Sequence, residues 1–243
     1  MLSFLIALQF LTRIPVTLPR IPSERAVANA IAFYPLVGLI IGVIMLTVAG
    51  LFSHTQPMLL AGIVLTVWVL LTGGLHLDGL ADSADAWAGG LGDKDKTLDI
   101  MKDPYCGPAA VVTLVLILLI KFSALISILQ TSTILYLLLP PLLARAMVPL
   151  LFITTPYVRD AGLGRIIAQH FTVGFSVLSM FFSVLVVMLI FGHAMWLILF
   201  IVAIGFIAIR WLMMKRLGGA TGDTIGALIE LTETSTLIAI AML

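Results

Sequence analysis

Three aspartates follow a long apolar run in the stretch Gly73-Gly74-Leu75-His76-Leu77-Asp78-Gly79-Leu80-Ala81-Asp82-Ser83-Ala84-Asp85-Ala86. If this stretch is helical, spacings of four and three residues place Asp78, Asp82 and Asp85 on one face. Like charges on one face repel one another unless a cation lies among them, and carboxylate oxygens suit Mg²⁺ or Mn²⁺. The stretch therefore predicts a metal site at a membrane surface.

The composition of the chain is that of a membrane protein. Of its 243 residues, 61% are hydrophobic and only 10% are charged, and the mean hydropathy is +1.21. A soluble domain has roughly 25% charged residues. The net charge of +1 provides no overall field that would attract nucleic acid. We therefore predict an all-α, polytopic helical bundle that forms a single integral membrane domain over residues 1–243.

Seven apolar runs are long enough to cross a membrane, because a spanning helix needs about 20 residues. They cover residues 31–52, 58–75, 109–129, 134–154, 172–192, 194–213 and 225–243. The apolar N-terminus, residues 1–11, is too short to span and lacks the basic region and cleavage site of a signal peptide. We expect it to form a short interfacial or re-entrant helix.

Lysine and arginine alternate between the connections of these runs. They precede the first run and follow the second, fourth and sixth, whereas the other connections contain neither residue. The positive-inside rule then predicts a cytoplasmic N-terminus and an inner-membrane protein whose active site faces the cytoplasm. The segments expected at that face are residues 73–108, 145–165 and 215–233.

A second polar cluster opens the last apolar run. Its glycines and threonines lie at a helix start, where free N–H groups and hydroxyls can meet a phosphate, so we expect Gly219, Thr221 and Gly222 to bind substrate. Asp223 and Glu230 are seven residues apart and share a helix face. Acids in an apolar span need a counter-charge or a metal. We expect Asp223 to bind metal and Glu230 to contact substrate.

Two basic residues, Lys121 and Arg145, lie inside predicted spans, and each needs an acid or an anionic substrate as a partner. Arg145 is the better phosphate candidate because a guanidinium binds phosphate in a bidentate manner. The loop that follows it adds Arg159 as another candidate. Lys121 is equally consistent with a structural ion pair.

The polar segment between the second and third runs predicts a short amphipathic helix at the interface. Asp103, next to Lys102, lies just before the third run, and we expect both to belong to the site. His76 is interpreted as a hydrogen-bonding partner for substrate, since the chain has no histidine-rich zinc set.

Clustered acids, a glycine-threonine turn and interior arginines together indicate chemistry on phosphate groups. A metal that bridges a diphosphate neutralises the leaving phosphate, and an aspartate can act as general base for an attacking hydroxyl. The chain has no Walker P-loop, which argues against an ATPase.

Long motifs in this order resemble the cobalamin synthase family, the adenosylcobinamide-GDP ribazoletransferases. They are Phe10-Leu11-Thr12-Arg13-Ile14-Pro15-Val16, Phe33-Tyr34-Pro35-Leu36-Val37-Gly38, residues 73–85, Leu98-Asp99-Ile100-Met101-Lys102-Asp103, Gly162-Leu163-Gly164, and residues 217–227 with Glu230.

The resemblance implies Mg²⁺-dependent transfer of the cobinamide phosphoryl group from adenosylcobinamide-GDP to α-ribazole or its 5′-phosphate, with release of GMP. It implies that Asp78, Asp82 and Asp85 hold metal and diphosphate, with Asp103, Asp223 and Glu230 as further candidates. Membrane lipid is an expected partner, and a homo-oligomer or association with other cobalamin-assembly enzymes stays open.

The chain departs from the family pattern at two places. Tyr105 stands where the family usually has Arg, which removes an expected phosphate contact, and Ala86 replaces a Gly after the third aspartate. Two other functions are alternatives. A CDP-alcohol phosphotransferase would have an Ala-Arg pair after Asp78-Gly79, which is missing here. An ion-coupled transporter would line a path to the membrane midplane with charges.

Overall fold

A computed structural model describes residues 1–131, 134–192 and 195–243 and confirms the all-helical fold. Two 3₁₀ helices, Asn29–Phe33 and Ile134–Leu138, precede α3 and α8. The α-helices are α1 Leu2–Leu11, α2 Glu24–Ala28, α3 Tyr34–Leu51, α4 Pro57–Thr72, α5 Leu75–Gly89, α6 Lys94–Ile100, α7 Pro108–Leu129, α8 Leu139–Thr154, α9 Leu163–His170, α10 Val173–Phe191, α11 Met195–Leu217 and α12 Gly222–Ala241.

Within the described residues, six helical segments are long and apolar enough to cross a membrane: Glu24–Leu51, Pro108–Leu129, Ile134–Thr154, Val173–Phe191, Met195–Leu217 and Gly222–Ala241. The pair α4 and α5 would give a seventh crossing only if it counted as one span. The ten-residue α1 is too short to cross. Its interfacial position and the cytoplasmic N-terminus stay predictions.

The predicted span over residues 58–75 is broken at its end. Gly73 and Gly74 have φ angles of +64° and +70°, a left-handed conformation that favours glycine, and the chain bends by 86° between α4 and α5. The bend separates the apolar α4 from α5, which carries all three aspartates of the motif. We treat α5 as lying outside the membrane-spanning segments.

Other boundaries differ by a few residues. The last helix begins at Gly222 instead of residue 225, because Thr221 and Thr224 form a capping box at its N-terminus. The sixth span extends to Leu217, and its predicted start at residue 194 lies outside the described residues. The short helix expected between the second and third runs is confirmed as α6, with Asp93 capping it by accepting the Lys96 N–H. Its position at the membrane interface stays a prediction.

The centre of the bundle is formed by α8 and α12, which are mostly buried, whereas α10 and α11 are mostly exposed. Helix α12 packs against α5, α7, α8 and α11, and α8 also packs against α3. The exposed large side chains of α10 and α11, such as Phe181 and Trp211, suit contact with lipid.

Two glycines allow α5 and α12 to approach each other closely. A Cβ on Gly79 would lie 2.8 Å from the carbonyl oxygen of Asp223, and a Cβ on Gly226 would lie 3.2 Å from that of His76. Small residues at a helix contact permit such packing. The glycine within the aspartate motif therefore brings a second polar helix next to the aspartates.

A network of buried charges connects α7, α8 and α12. Lys121 Nζ lies 2.5 Å from Glu230 Oε2 and 2.6 Å from Glu233 Oε2, and it also lies 4.5 Å from the centroid of the Trp68 ring. Arg145, which is fully buried, forms an ion pair with Glu233. The partner of each interior base is thus an acid of the same chain.

Candidate active site

Side chains from α5, α12 and the loop after α8 meet at one end of the bundle. Arg159 Nη2 forms an ion pair with Asp223 Oδ2 at 2.6 Å. Asp78 of α5 and Asp223 of α12 line the same cavity. The charges of Asp78, Asp223 and Arg159 all act on the carboxyl of Asp82, and that of Asp85 acts on it more weakly. The structure therefore brings together three of the predicted acids and one predicted base.

The environment of Asp82 disfavours its charged form. Partial burial raises the pKa of this carboxyl to about 6, and the neighbouring carboxylates of Asp78 and Asp223 contribute to the rise. The guanidinium of Arg159 acts in the opposite direction. A bound cation would reduce the repulsion among the carboxylates of Asp78, Asp82 and Asp223.

The loop that carries Arg159 is attached to the turn before α12. Val158 N donates to the Ala220 carbonyl at 3.0 Å, and Ala220 N donates to the Pro156 carbonyl at 2.8 Å. A Cβ on Gly219 would lie 2.3 Å from that Pro156 oxygen, so only glycine allows the loop to come this close. The predicted role of Gly219 was substrate binding, and the structure shows it in contact with the loop.

Thr221 also has partners within the chain. It is fully buried, and its hydroxyl accepts the Thr224 N–H at 3.2 Å as the cap of α12. Gly222, by contrast, lines the cavity. Of the three residues expected to bind phosphate in this turn, Gly222 is the one placed next to the aspartates.

Asp85 lies on the helix that carries Asp78 and Asp82 but has other partners. Its Oδ2 accepts the Gly107 N–H at 2.6 Å, and its Oδ1 accepts the Ala110 N–H at 2.9 Å. These are free N–H groups at the start of α7, so Asp85 caps that helix from a distance in sequence. Both of its oxygens are engaged, and we leave it out of the ligand set proposed below.

Asp103 and Lys102 lie at the surface near Asp85. Asp103 accepts the Tyr105 N–H at 3.0 Å, and Lys102 pairs with Asp99 at 3.0 Å. A separate surface cavity contains Asp85 and Asp103 but not the other two aspartates of the motif. The structure thus does not bring Lys102 or Asp103 to the cluster, and their roles in the site stay predictions.

A cavity of about 220 Å³ lies next to the cluster. Its walls are mostly aromatic and aliphatic, and Asp78, Asp223, His76 and the two tyrosines, Tyr34 and Tyr157, supply its polar side chains. Neither Arg145 nor Glu230 lines it, so their expected contact with substrate also stays a prediction.

Sequence reasoning missed the aromatic residues of the cavity because phenylalanines inside apolar runs resemble lipid-facing ones. Tyr34 and Phe152 both line it, and neither was among the candidates. For Tyr34 there was a signal, since it belongs to a motif that carries the family resemblance.

The acids of the cluster fit a divalent cation by their chemistry. Asp82 and Asp223 supply hard oxygen ligands, and the buried Asp223 Oδ2 already has a cationic partner in Arg159. Within the described ranges, no three His, Cys, Asp or Glu side chains already converge on one point. The donors are therefore of the right type and in one neighbourhood, and a cation would have to draw them together.

The chain is similar to known proteins over its whole length. A family model described as cobalamin-5-phosphate synthase matches residues 3–241. The chain is 49% identical over 243 residues to the adenosylcobinamide-GDP ribazoletransferase of Pseudomonas savastanoi pv. phaseolicola, with all of both chains covered. It is 50% identical over 242 residues to the protein of that name from Pseudomonas aeruginosa, covering 99% of this chain and 98% of the other. No solved structure matches.

Proposed function

Because the chain belongs to the cobalamin-5-phosphate synthase family and is a transferase, we propose that it transfers the adenosylcobinamide phosphoryl group from adenosylcobinamide-GDP. The acceptor is α-ribazole or α-ribazole 5′-phosphate, and GMP is released. The proposal includes Mg²⁺ as cofactor and an active site that faces the cytoplasm from the inner membrane. The observation that carries it is the meeting of Asp78, Asp82, Asp223 and Arg159 beside a cavity that can admit an aromatic acceptor.

The transfer exchanges one bond to phosphorus for another. A ribose hydroxyl oxygen of the acceptor forms a bond to the phosphorus next to cobinamide. The bond from that phosphorus to the oxygen bridging to GMP breaks, and GMP leaves with the electron pair. The hydroxyl proton must go to a base within hydrogen-bond reach of the acceptor.

Asp78 is the proposed base. It lines the cavity, and among the described residues its side chain has no ion pair or hydrogen bond, whereas Asp223 is paired with Arg159. A carboxylate with a free lone pair can accept the proton as the oxygen attacks. Asp78 would also orient the hydroxyl before attack by accepting its hydrogen bond.

Arg159 is the proposed contact for the diphosphate. Its Nη2 lies beside Asp223, and its Nε is buried without a hydrogen-bond partner. A guanidinium offers donors in a planar fork that matches two phosphate oxygens. The free Nε–H thus gives the diphosphate a positively charged donor next to the acids.

Asp82 and Asp223 would hold the cofactor. When bound there, Mg²⁺ supplies charge neutralisation for the diphosphate. The two carboxylates come from α5 and α12, so the close packing at Gly79 sets their separation.

The test is release of GMP by the purified protein. In detergent with Mg²⁺, adenosylcobinamide-GDP and α-ribazole, we expect one GMP per ribazole consumed, and no release when EDTA removes the metal or when ribazole is omitted. Absence of GMP under the complete conditions would refute the proposal. Release without ribazole would indicate a hydrolase instead.

The comparisons support this activity over the two other functions weighed. Both relatives carry a transferase name, and neither is named as a phospholipid enzyme or a transporter. The buried charges of α7, α8 and α12 are paired with one another, which leaves Lys121 and Arg145 without free charge for an ion path. We expect no CMP release from CDP-diacylglycerol in the same assay.

A further inference from the structure

His76 has a hydrogen-bonding atom that the proposed reaction does not use. The side chain is 4% exposed, and it lines the cavity beside Asp78 and Asp223. Its Nε2 is buried without a hydrogen-bond partner. A buried polar nitrogen without a partner destabilises the protein, so a ligand that supplies the partner gains affinity by doing so.

Building on the proposed function, we propose that this cavity is the binding site for the heteroaromatic base of the ribazole acceptor, and that His76 Nε2–H donates a hydrogen bond to the base's unsubstituted ring nitrogen. Ribazole is a benzimidazole riboside. One ring nitrogen carries the sugar, and the other has a free lone pair in the ring plane. The inference specifies which part of the acceptor the cavity holds and which atom it recognises.

The neighbour of His76 determines which nitrogen carries the proton. Arg145 Nη2 lies 3.4 Å from His76 Nδ1. A guanidinium has donors only, so Nδ1 must be the acceptor in this contact. A neutral imidazole with an accepting Nδ1 carries its hydrogen on Nε2. The cavity therefore presents a donor, and its matching ligand group is an acceptor.

Arg145 is in turn held by the buried network. Its ion pair with Glu233 fixes the guanidinium within the bundle, away from the cavity. A buried base thus sets the tautomer of a histidine that reaches the cavity. This gives Arg145 a positioning role, which differs from the direct phosphate contact expected from sequence.

The walls of the cavity suit a flat apolar ring. Two aromatic pairs contribute to them: Phe10 stacks on Tyr34 with ring centroids 6.3 Å apart, and Phe152 stacks on Tyr157 at 6.0 Å. The remaining lining is mainly aliphatic. Guanine, the other base in the reaction, carries several donors and acceptors and suits a more polar pocket, whereas benzimidazole has one free acceptor and is otherwise apolar.

The positions of Asp78 and Asp223 agree with an acceptor whose ring contacts His76. Asp78 and Asp223 line the same cavity as His76. A riboside whose heteroaromatic ring contacts His76 can therefore present its sugar to Asp78, the proposed proton acceptor for the attacking hydroxyl. One cavity then holds both the recognition group and the reacting group of the acceptor.

The test compares two ligands that differ at one ring atom. α-Ribazole and the matching indole riboside, in which C–H replaces the free nitrogen, are titrated calorimetrically into the full-length protein in detergent. We expect the indole compound to bind about tenfold more weakly, as expected when a buried donor loses its acceptor. In His76→Phe this ratio should fall to about one, while His54→Phe, on an exposed turn, should keep it.

Equal binding of the two ligands by the unaltered protein would overturn the inference, and so would a ratio near ten in His76→Phe. If His76→Phe does not fold, Ile167→Phe provides a second variant, since Ile167 lines the cavity from α9. It should weaken α-ribazole at least tenfold and leave the dissociation constant of adenosylcobinamide-GDP unchanged. An unchanged α-ribazole constant there would also refute the site.

A GMP-release assay on the same preparation distinguishes a failure of the proposed binding site from a failure of the proposed transfer reaction. If GMP is released with α-ribazole but the two ligands bind equally, the transfer stands and the base site is wrong. If no GMP is released, the proposed function itself fails.

Discussion

Replacing Gly79 with alanine should separate the two helices that carry the acids. The new Cβ would lie 2.8 Å from the Asp223 carbonyl oxygen and 3.0 Å from its Cα. Both atoms belong to the backbone and cannot rotate away. Reaching an optimal separation of about 3.5 Å requires α5 to move from α12 by roughly 0.7 Å. Since a misplacement of about 1 Å can cost roughly 10²-fold in rate, we expect Gly79→Ala to lose about that factor in kcat.

The assay is the initial rate of GMP release, with size-exclusion chromatography to show that each variant is folded. Gly205→Ala is the matched control, because nothing lies within 4 Å of a Cβ at that position. Gly226→Ala, with its closest atom at 3.2 Å, should be intermediate. Alanine favours a helix over glycine by about 1 kcal/mol, so a loss of activity cannot come from helix propensity. A Gly79→Ala rate within twofold of the unaltered protein would refute this account of the site.

Three other substitutions test separate parts of the structure. Asp82→Asn should abolish GMP release and leave expression intact, whereas Asp95→Asn, on the exposed face of α6, should release GMP at a near-normal rate. GMP release by Asp82→Asn would argue against metal coordination by Asp82. Arg159→Ala should raise the KM for adenosylcobinamide-GDP at least tenfold, whereas Arg165→Ala, which removes a surface ion pair, should leave this KM unchanged. A KM of Arg159→Ala equal to that of the unaltered protein would exclude the diphosphate contact. Lys121→Met leaves the buried Glu230 without a basic partner, whereas Glu233 keeps Arg145. Thermal unfolding in detergent should therefore show a loss of about 3–5 kcal/mol, and an unchanged Tm would contradict the buried network.

The helices could be predicted because their signals are local. Apolar runs of spanning length and the spacing of Asp78, Asp82 and Asp85 required no knowledge of distant residues. The 86° bend at Gly73 and Gly74 was missed because hydropathy continues across a bend without a break. Paired glycines before a polar stretch are consistent with both a continuous helix and a turn.

The partners of the polar side chains could not be predicted in the same way. Asp85 is equivalent in sequence to Asp82, yet it caps α7 because the start of that helix packs beside it. Arg145 was expected to meet either an acid or a substrate, and these alternatives have the same chemistry until the packing of α8 on α12 places Glu233 next to it. Which polar groups meet depends on helix packing, and sequence spacing within one helix does not contain that information.

The central claim is that α5 and α12 together hold the divalent cation of a phosphoryl transfer. The most direct measurement is an anomalous difference map from crystals of the protein with Mn²⁺ and adenosylcobinamide-GDP. The account predicts a peak bounded by the carboxylates of Asp82 and Asp223, with the diphosphate within reach of Arg159. A peak beside Asp85 and Asp103 instead, or no peak with the diphosphate bound, would contradict it.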